Sequence, residues 1–298
     1  MGVAFSQFDT TAAGAVAAIK AAILASSNWS NPAGDRVQCT TTRGADMVVD
    51  LADAAATATK LQFGVYRTAA LADKIIRYLQ WRSTGGATTD TLHCIVSAGK
   101  EHLFITVEGP RAGEVNPLDA GYGSHRPAFF LCDLLPYFTA DTVPAVVCGG
   151  PTSAAVPSSA TAVTVHISRN AANAASWVPG VLETLQAGRG APGQMPARYG
   201  GQSLSASTLV VRPYVVFEDA AGMRGRLSSI FNMGWNTVAG SGDVAAQTFS
   251  RITVGSATYI GLVANKRIAS TVTQSPFAET GPNTDAEFTS PVIAVPYS

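Results

Sequence analysis

The sequence predicts an α+β chain that is mostly β, with a short N-terminal helix followed by antiparallel sheet or sandwich units. Two observations carry this. Residues 12–25 place large apolar side chains at helical spacing most clearly, and from residue 36 onward short runs of β-branched and aromatic residues alternate with clusters of Gly, Pro, Ser and Asn. In the helix, Asp9 or Thr10 can serve as cap, Val16, Ile19 and Ile23 recur on one face, and Ser26-Ser27-Asn28 loosens the pattern. One narrow apolar stripe implies docking on something larger. Trp29 and Pro32 close the segment, and 31–35 reads as a turn.

Strand candidates follow at 36–42, 46–51 and 61–66. Residues 75–82 alternate side chains through Trp81, although the apolar spacing over 71–81 fits a helix as well. The strongest signal is a hairpin: 92–96 and 103–107 are runs of β-formers joined by Ser97-Ala98-Gly99-Lys100-Glu101-His102. A Gly- and Pro-rich excursion over 112–127 leads to an apolar segment at 128–135 and a strand at 144–148. The Gly-, Pro-, Ser- and Ala-rich stretch 149–159 is the best internal boundary. It divides 1–150, the helix plus a β-rich unit, from 151–298, a second β-rich unit; read as a long surface loop, it leaves one continuous domain.

In the second half, 163–168 reads as a strand, 172–187 as a helix interrupted by Pro179-Gly180, and 187–201 as a Gly/Pro/Arg loop. Residues 209–218 form a strong strand whose Pro213 implies an edge or a bulge. Residues 251–254 and 257–264 pair around Gly255-Ser256, and 291–296 supply a last strand.

Composition narrows the function. The 20 basic and 20 acidic residues cancel, and charged side chains are 13% of the 298 residues, against about 25% in an average soluble domain. A surface normally covered by neighbours needs fewer charges, so assembly is the first expectation. Zero net charge gives no long-range pull toward phosphates or anionic lipid, which argues against nucleic acid and membrane as partners. The apolar stretch 12–25 is interrupted by Lys20 and falls short of the roughly 20 residues a span requires. Asp9 also stands where a signal peptide would carry positive charge. Only five of the 20 basic residues are Lys, and the Arg that make up the rest suit packed interfaces better; high-GC codon usage gives the same bias.

Catalytic and cofactor patterns are missing. There is no G-x-S-x-G, G-x-x-x-x-G-K-[ST] or H-E-x-x-H sequence, so no catalytic, cofactor-binding or metal residue is assigned and no cofactor is expected. Cys39, Cys94, Cys132 and Cys148 are too scattered for a zinc site; Cys94 and Cys132, inside apolar strand-like runs, read as buried reduced thiols, with a disulfide as the alternative. His93 and Cys94 point to opposite faces of a strand and cannot act together. His102 falls in the hairpin turn as an exposed polar residue, and His125 and His166 have no partner nearby in sequence. Glu108, Arg111, Glu114 and Asp119 are the densest charged cluster, readable as loop-ordering ion pairs or as an acid/base or cation site. Tyr122, Phe129, Phe130, Tyr137 and Phe138 read as core or contact residues, or as a sugar-stacking platform. Asn28-Trp29-Ser30 matches the glycosylation acceptor pattern.

The succession 91–97, 100–109, 129–138 and 144–150 resembles virion structural proteins of tailed bacteriophages. Phe130-Leu131-Cys132-Asp133-Leu134-Leu135-Pro136-Tyr137-Phe138 is similar to the segment that follows a strand pair in such chains. The close, Thr258-Tyr259-Ile260-Gly261-Leu262-Val263 and then Ser290-Pro291-Val292-Ile293-Ala294-Val295-Pro296, is similar too. The resemblance implies a particle component of the tail, baseplate or neck, located in the virion, and carries over no catalytic residue. The expectation is a non-enzymatic subunit whose partners are copies of itself or other virion proteins. A host-surface glycan-binding or glycan-cleaving module is the alternative, resting on the Glu108–Asp119 loop and its aromatics, and a capsid decoration protein is a further one.

Overall fold

A computed structural model of the chain describes residues 2–71, 73–81, 86–109, 128–137, 146–148, 165–168, 177–184, 209–218, 222–235, 251–263 and 292–298. In order these form β1 (Ala4–Thr11), α1 (Ala15–Leu24), β2 (Arg36–Thr40), β3 (Asp46–Ala54), β4 (Lys60–Tyr66), β5 (Ile75–Gln80), β6 (Thr91–Gly99), β7 (His102–Glu108) and β8 (Ala128–Pro136). Then come β9 (Val146–Cys148), β10 (Val165–Ser168), β11 (Trp177–Thr184), β12 (Leu209–Glu218), β13 (Gly222–Trp235), β14 (Arg251–Val254), β15 (Ala257–Val263) and β16 (Val292–Pro296). The fold is α+β and mostly β, with one short helix near the N-terminus among the described residues and antiparallel sheets.

The helix is shorter than its sequence signal, and a strand precedes it. Asp9 and Thr10 do not cap it: they lie in β1, opposite His93 and Leu92 of β6. Cross-strand pairing claims them, so α1 starts at Gly14 with no side-chain cap, the Gly14 N–H bonding to Thr11 O at 3.0 Å and Thr11 Oγ1 at 3.1 Å. Ala15, Ile19, Ala22 and Ile23 are its buried side. Burying Ile19 and Ile23 contributes about 1.5–3 kcal/mol each relative to exposure.

Strands β2-β3-β4-β5 form a four-stranded meander. The helical alternative for 71–81 fails because Leu71 and Asp73 both sit at positive φ, 63° and 55°, and β5 then pairs with β4 from Val65↔Ile75 to Lys60↔Gln80. The remaining strands join in the order β1-β6-β7-β8-β9-β10-β11-β12-β13-β16-β15-β14. Pairing runs from β8 through β9 into β10, on either side of 149–159, which lies outside the described residues.

The middle of this second sheet is covered on both faces. Leu92, Cys94, Val96 and Ala98 of β6, Leu103, Ile105 and Val107 of β7, and Phe129 and Leu131 of β8 share one apolar cluster with α1 and the four-stranded sheet. Phe129 meets Phe63 of β4 edge-on, ring centroids 5.2 Å apart. The alternate residues Ile95, Phe104, Phe130, Cys132 and Leu134 join a second cluster with β10, β12, β13, β15 and β16.

Strand β8 also pairs with β13, Leu134, Leu135 and Pro136 facing Leu227, Arg226 and Gly225. It therefore has β9 on one edge and first β7, then β13, on the other, so that β8 through β13 close a ring of six strands. Closure removes free edges from that part of the sheet. The segment 172–187, expected as a helix, is strand β11 where it is described: β10 and β12 flank it, and Gly180 leaves room for Ile167. Pro213 marks a bulge, the β12–β13 register shifting between Pro213 and Val215, and it lies one residue past the last β11 partner pair, Thr184↔Tyr214. The hairpin of β14 and β15 turns through Gly255 at φ 62°.

Gly225 is the tightest point of the ring's seam, since a Cβ there would run into the Leu135 backbone. Gly225→Ala is expected to lower stability by about 1–3 kcal/mol, the usual cost of overpacking, measured by urea unfolding. An unchanged midpoint would mean that β8 and β13 are not in register at this site.

Candidate functional site

Gly99 pairs with His102, so the β6–β7 hairpin turns through Lys100 and Glu101 alone. The turn is thus shorter than the expected 97–102 connection, and Ser97, Ala98, Gly99 and His102 are strand residues. His102 is not exposed: it is 2% accessible, because its strand is covered on both faces and Gly99 leaves space for the imidazole beside it.

The tight turn places Glu101 against β8. The Asp133 N–H donates to Glu101 O at 2.9 Å, the Thr42 N–H donates to Glu101 Oε1 at 3.0 Å, and the Ser229 hydroxyl of β13 donates to Glu101 O at 3.4 Å. Arg43, in the turn between β2 and β3, brings Nε to 4.0 Å from Asp133 Oδ2. Asp133 is 0% exposed. Burial first, and then the charge and hydrogen-bonding carboxyl of Glu101, push its pKa up to about 7, with Arg43 opposing. Polar groups from four elements therefore converge here, at the joint between the two sheets.

A second buried cluster ties down the C-terminal strand. His102 Nε2 lies 2.9 Å from Ser97 Oγ, and Ser97 Oγ lies 2.6 Å from Pro296 O. A carbonyl can only accept, so the serine proton goes to Pro296 O and His102 Nε2 carries the proton given to Ser97. That tautomer cannot take a proton from Ser97, so the pair has the composition of a nucleophile and base without the function. Burial lowers the His102 pKa to about 3. A third contact joins the sheets at β5 and β10: Arg77, 1% exposed, donates from Nη2 to His166 Nδ1 at 2.6 Å. Burial and the Arg77 charge lower the His166 pKa to about 4.

The other residues singled out in the sequence are dispersed. His93 faces Asp9 Oδ1 at 2.7 Å through Nδ1, and its Nε2 faces the Gln7 amide at 3.0 Å rather than a hydroxyl or thiol. Cys94 is 0% exposed in the core. Cys39, Cys94 and Cys132 are free and buried, and burial pushes the Cys39 thiol to about 11, the Cys94 thiol to about 12 and the Cys132 thiol upward, so none is poised as a nucleophile. Phe129 and Phe130 are buried on opposite faces of β8, while Tyr137 is 43% exposed. Asn28 Nδ2 donates to Gly2 O at 2.8 Å, and the Trp29 indole donates to Gly99 O at 2.9 Å. Arg111, Glu114, Asp119, Tyr122, His125 and Phe138, with the side chains of Glu108 and Cys148, lie outside the described residues. No group of three or more His, Cys, Asp or Glu able to hold a metal occurs among the described residues.

The Glu101–Asp133–Arg43 and Ser97–His102–Pro296 clusters are not legible in the sequence because each is completed only across a long separation, 32 positions from Glu101 to Asp133 and 199 from Ser97 to Pro296. The available signal was a short one: Asp133 is the only charged residue within the apolar run of β8.

Ser97→Ala strands the His102 N–H and the Pro296 carbonyl together, and is expected to cost about 1–3 kcal/mol, read by thermal or urea unfolding. His102 and His166 stay neutral in the fold while their unfolded counterparts protonate below about 6.5. Their stabilisation is complete above that pH and is lost as pH falls through 4 and then 3. His166→Gln keeps an acceptor for Arg77 and should lose less stability than wild type between pH 6.5 and 4; parallel thermal midpoints would refute this. No known family matches the chain, and neither a characterised protein nor a solved structure similar to it was found.

Proposed function

We propose that the chain is a non-enzymatic structural subunit of a tailed-bacteriophage particle, in the tail, baseplate or neck, acting through contacts with copies of itself or with other virion proteins. The observation that carries this reading is the free edge of β1. Eight consecutive pairs join β1 to β6 without a register shift, and among the described residues no strand takes the other edge. Its sequence, AFSQFDTT, contains no Pro, Lys or bulge and one charge, Asp9. Proteins that remain alone blunt such edges with just those devices, whereas an assembling subunit uses the unpaired N–H and C=O groups to add a neighbour's strand.

The opposite end of the sheet is different. Strand β14 has four residues, and its Arg251 guanidinium lies over the Tyr297 ring at 4.2 Å. The low charge content supports the same reading, since part of the small charged set is spent inside: Arg77 and Asp133 are at 1% and 0% exposure. The resemblance of the 91–150 and 258–296 segments to tailed-phage virion proteins supplies the particle. The glycan alternative keeps only Tyr137 exposed among those aromatics that are described.

Wild-type protein is expected to associate in sedimentation velocity, and Gln7→Lys with Thr11→Lys, which charge the free edge, to weaken association about tenfold or more, roughly 1.4 kcal/mol. A chain that stays monomeric at high concentration, and that mass spectrometry does not find in purified particles, would refute the proposal.

A further inference from the structure

We propose that Glu101 and Asp133 hold one proton between their carboxyl groups, and that this proton latches the β6–β7 turn to β8 and to the turn between β2 and β3. Both oxygens of Asp133 and Oε2 of Glu101 are buried and have no hydrogen-bond donor among the described residues. Two ionised carboxylates in contact would turn only lone pairs toward each other. A proton makes one of those oxygens a donor and removes one of the two charges. Arg43, 4.0 Å from Asp133, sets one positive charge beside the pair, so a single proton brings Glu101, Asp133 and Arg43 to neutrality, with the exposed Lys100 on the Glu101 side outside that count.

The remaining titratable and charged groups around the pair come from the neighbouring elements. Lys100 of the turn and Cys39 of β2 lie on the Glu101 side. Cys132 of β8 adjoins Asp133, with Tyr259 of β15 beyond it. Burial raises Cys39, Cys132 and Tyr259 above their ordinary values, so all three stay neutral through the neutral range. Asp133 is the group that titrates there, at about 7 in the fold against 3.8 when unfolded. An acid whose pKa is raised by folding stabilises fully below its unfolded value and loses that contribution as pH rises to the folded value. The latch therefore closes in mild acid and releases above neutral pH, with the lost proton passing to solvent.

The test is thermal unfolding of the full chain, of Asp133→Asn and of Glu101→Gln from about pH 5 to about pH 9. Either amide supplies a hydrogen-bond donor that does not titrate. The wild-type midpoint is expected to fall relative to both variants as pH rises from 5 to about 7, by on the order of 5 °C, and to run level with them above that. Should Asp133→Asn fail to fold, Glu101→Gln carries the comparison alone. Parallel curves for wild type and variant would overturn the latch. A rise of the wild-type midpoint above pH 8 on adding millimolar Ca²⁺, lacking in the variants, would overturn it too, because the oxygens would then be cation ligands.

Discussion

Burial of β6, β7 and β8 on both faces is the constraint on which the rest of the structure depends. In a sheet with one wet face, polar residues at alternate positions reach water. Here α1 and the four-stranded meander cover one side, and the strands from β10 to β16 cover the other. Each polar side chain in these strands must therefore find a partner or give up its charge. Ser97 and His102 pass hydrogen bonds on to Pro296, and Asp133 is held toward its neutral form. The perturbed groups follow from the layering.

The same layering decides how the sheets are joined. Apolar packing holds the faces, as where Phe63 meets Phe129, but it is nondirectional and tolerates sliding. Register comes from the polar contacts at the margins: Arg77 with His166 at one, and Glu101, Asp133 and Arg43 at another. Each joins elements far apart in the chain. The glycines serve the same end, since Gly99 accommodates the His102 ring and Gly225 allows β13 to approach β8. The ring from β8 to β13 then has no edge to offer, which leaves β1 as the long open edge among the described strands.

A chain with so few charges that buries Arg77 and Asp133 keeps correspondingly less charge for its exterior. Such a surface suits permanent contact better than free diffusion. Strand β1, an edge of regular register, leaves its unpaired backbone groups on one side of the sheet. Among the described residues, the serine facing His102 donates to a carbonyl, and the thiols of Cys39 and Cys94 are held far above neutrality by burial.

The sequence by itself determined the fold class, the helix face of Ile19 and Ile23, the β6–β7 and β14–β15 hairpins and an irregularity at Pro213, either an edge or a bulge, because each is written in local spacing or in the geometry of a single residue. Strand β1 escaped notice since Phe5 and Phe8 serve opposite faces, Phe8 packing on one core cluster and Phe5 on the other, so no alternation shows. The fate of His102 was equally hidden: Lys100 and Glu101 beside it read as exposed loop, and only the two covering layers bury it. What tertiary structure alone decided is which distant groups meet, Glu101 with Asp133, Ser97 with Pro296 and Arg77 with His166. Those meetings depend on strand order and layer stacking, which are long-range properties that periodicity along a chain does not encode.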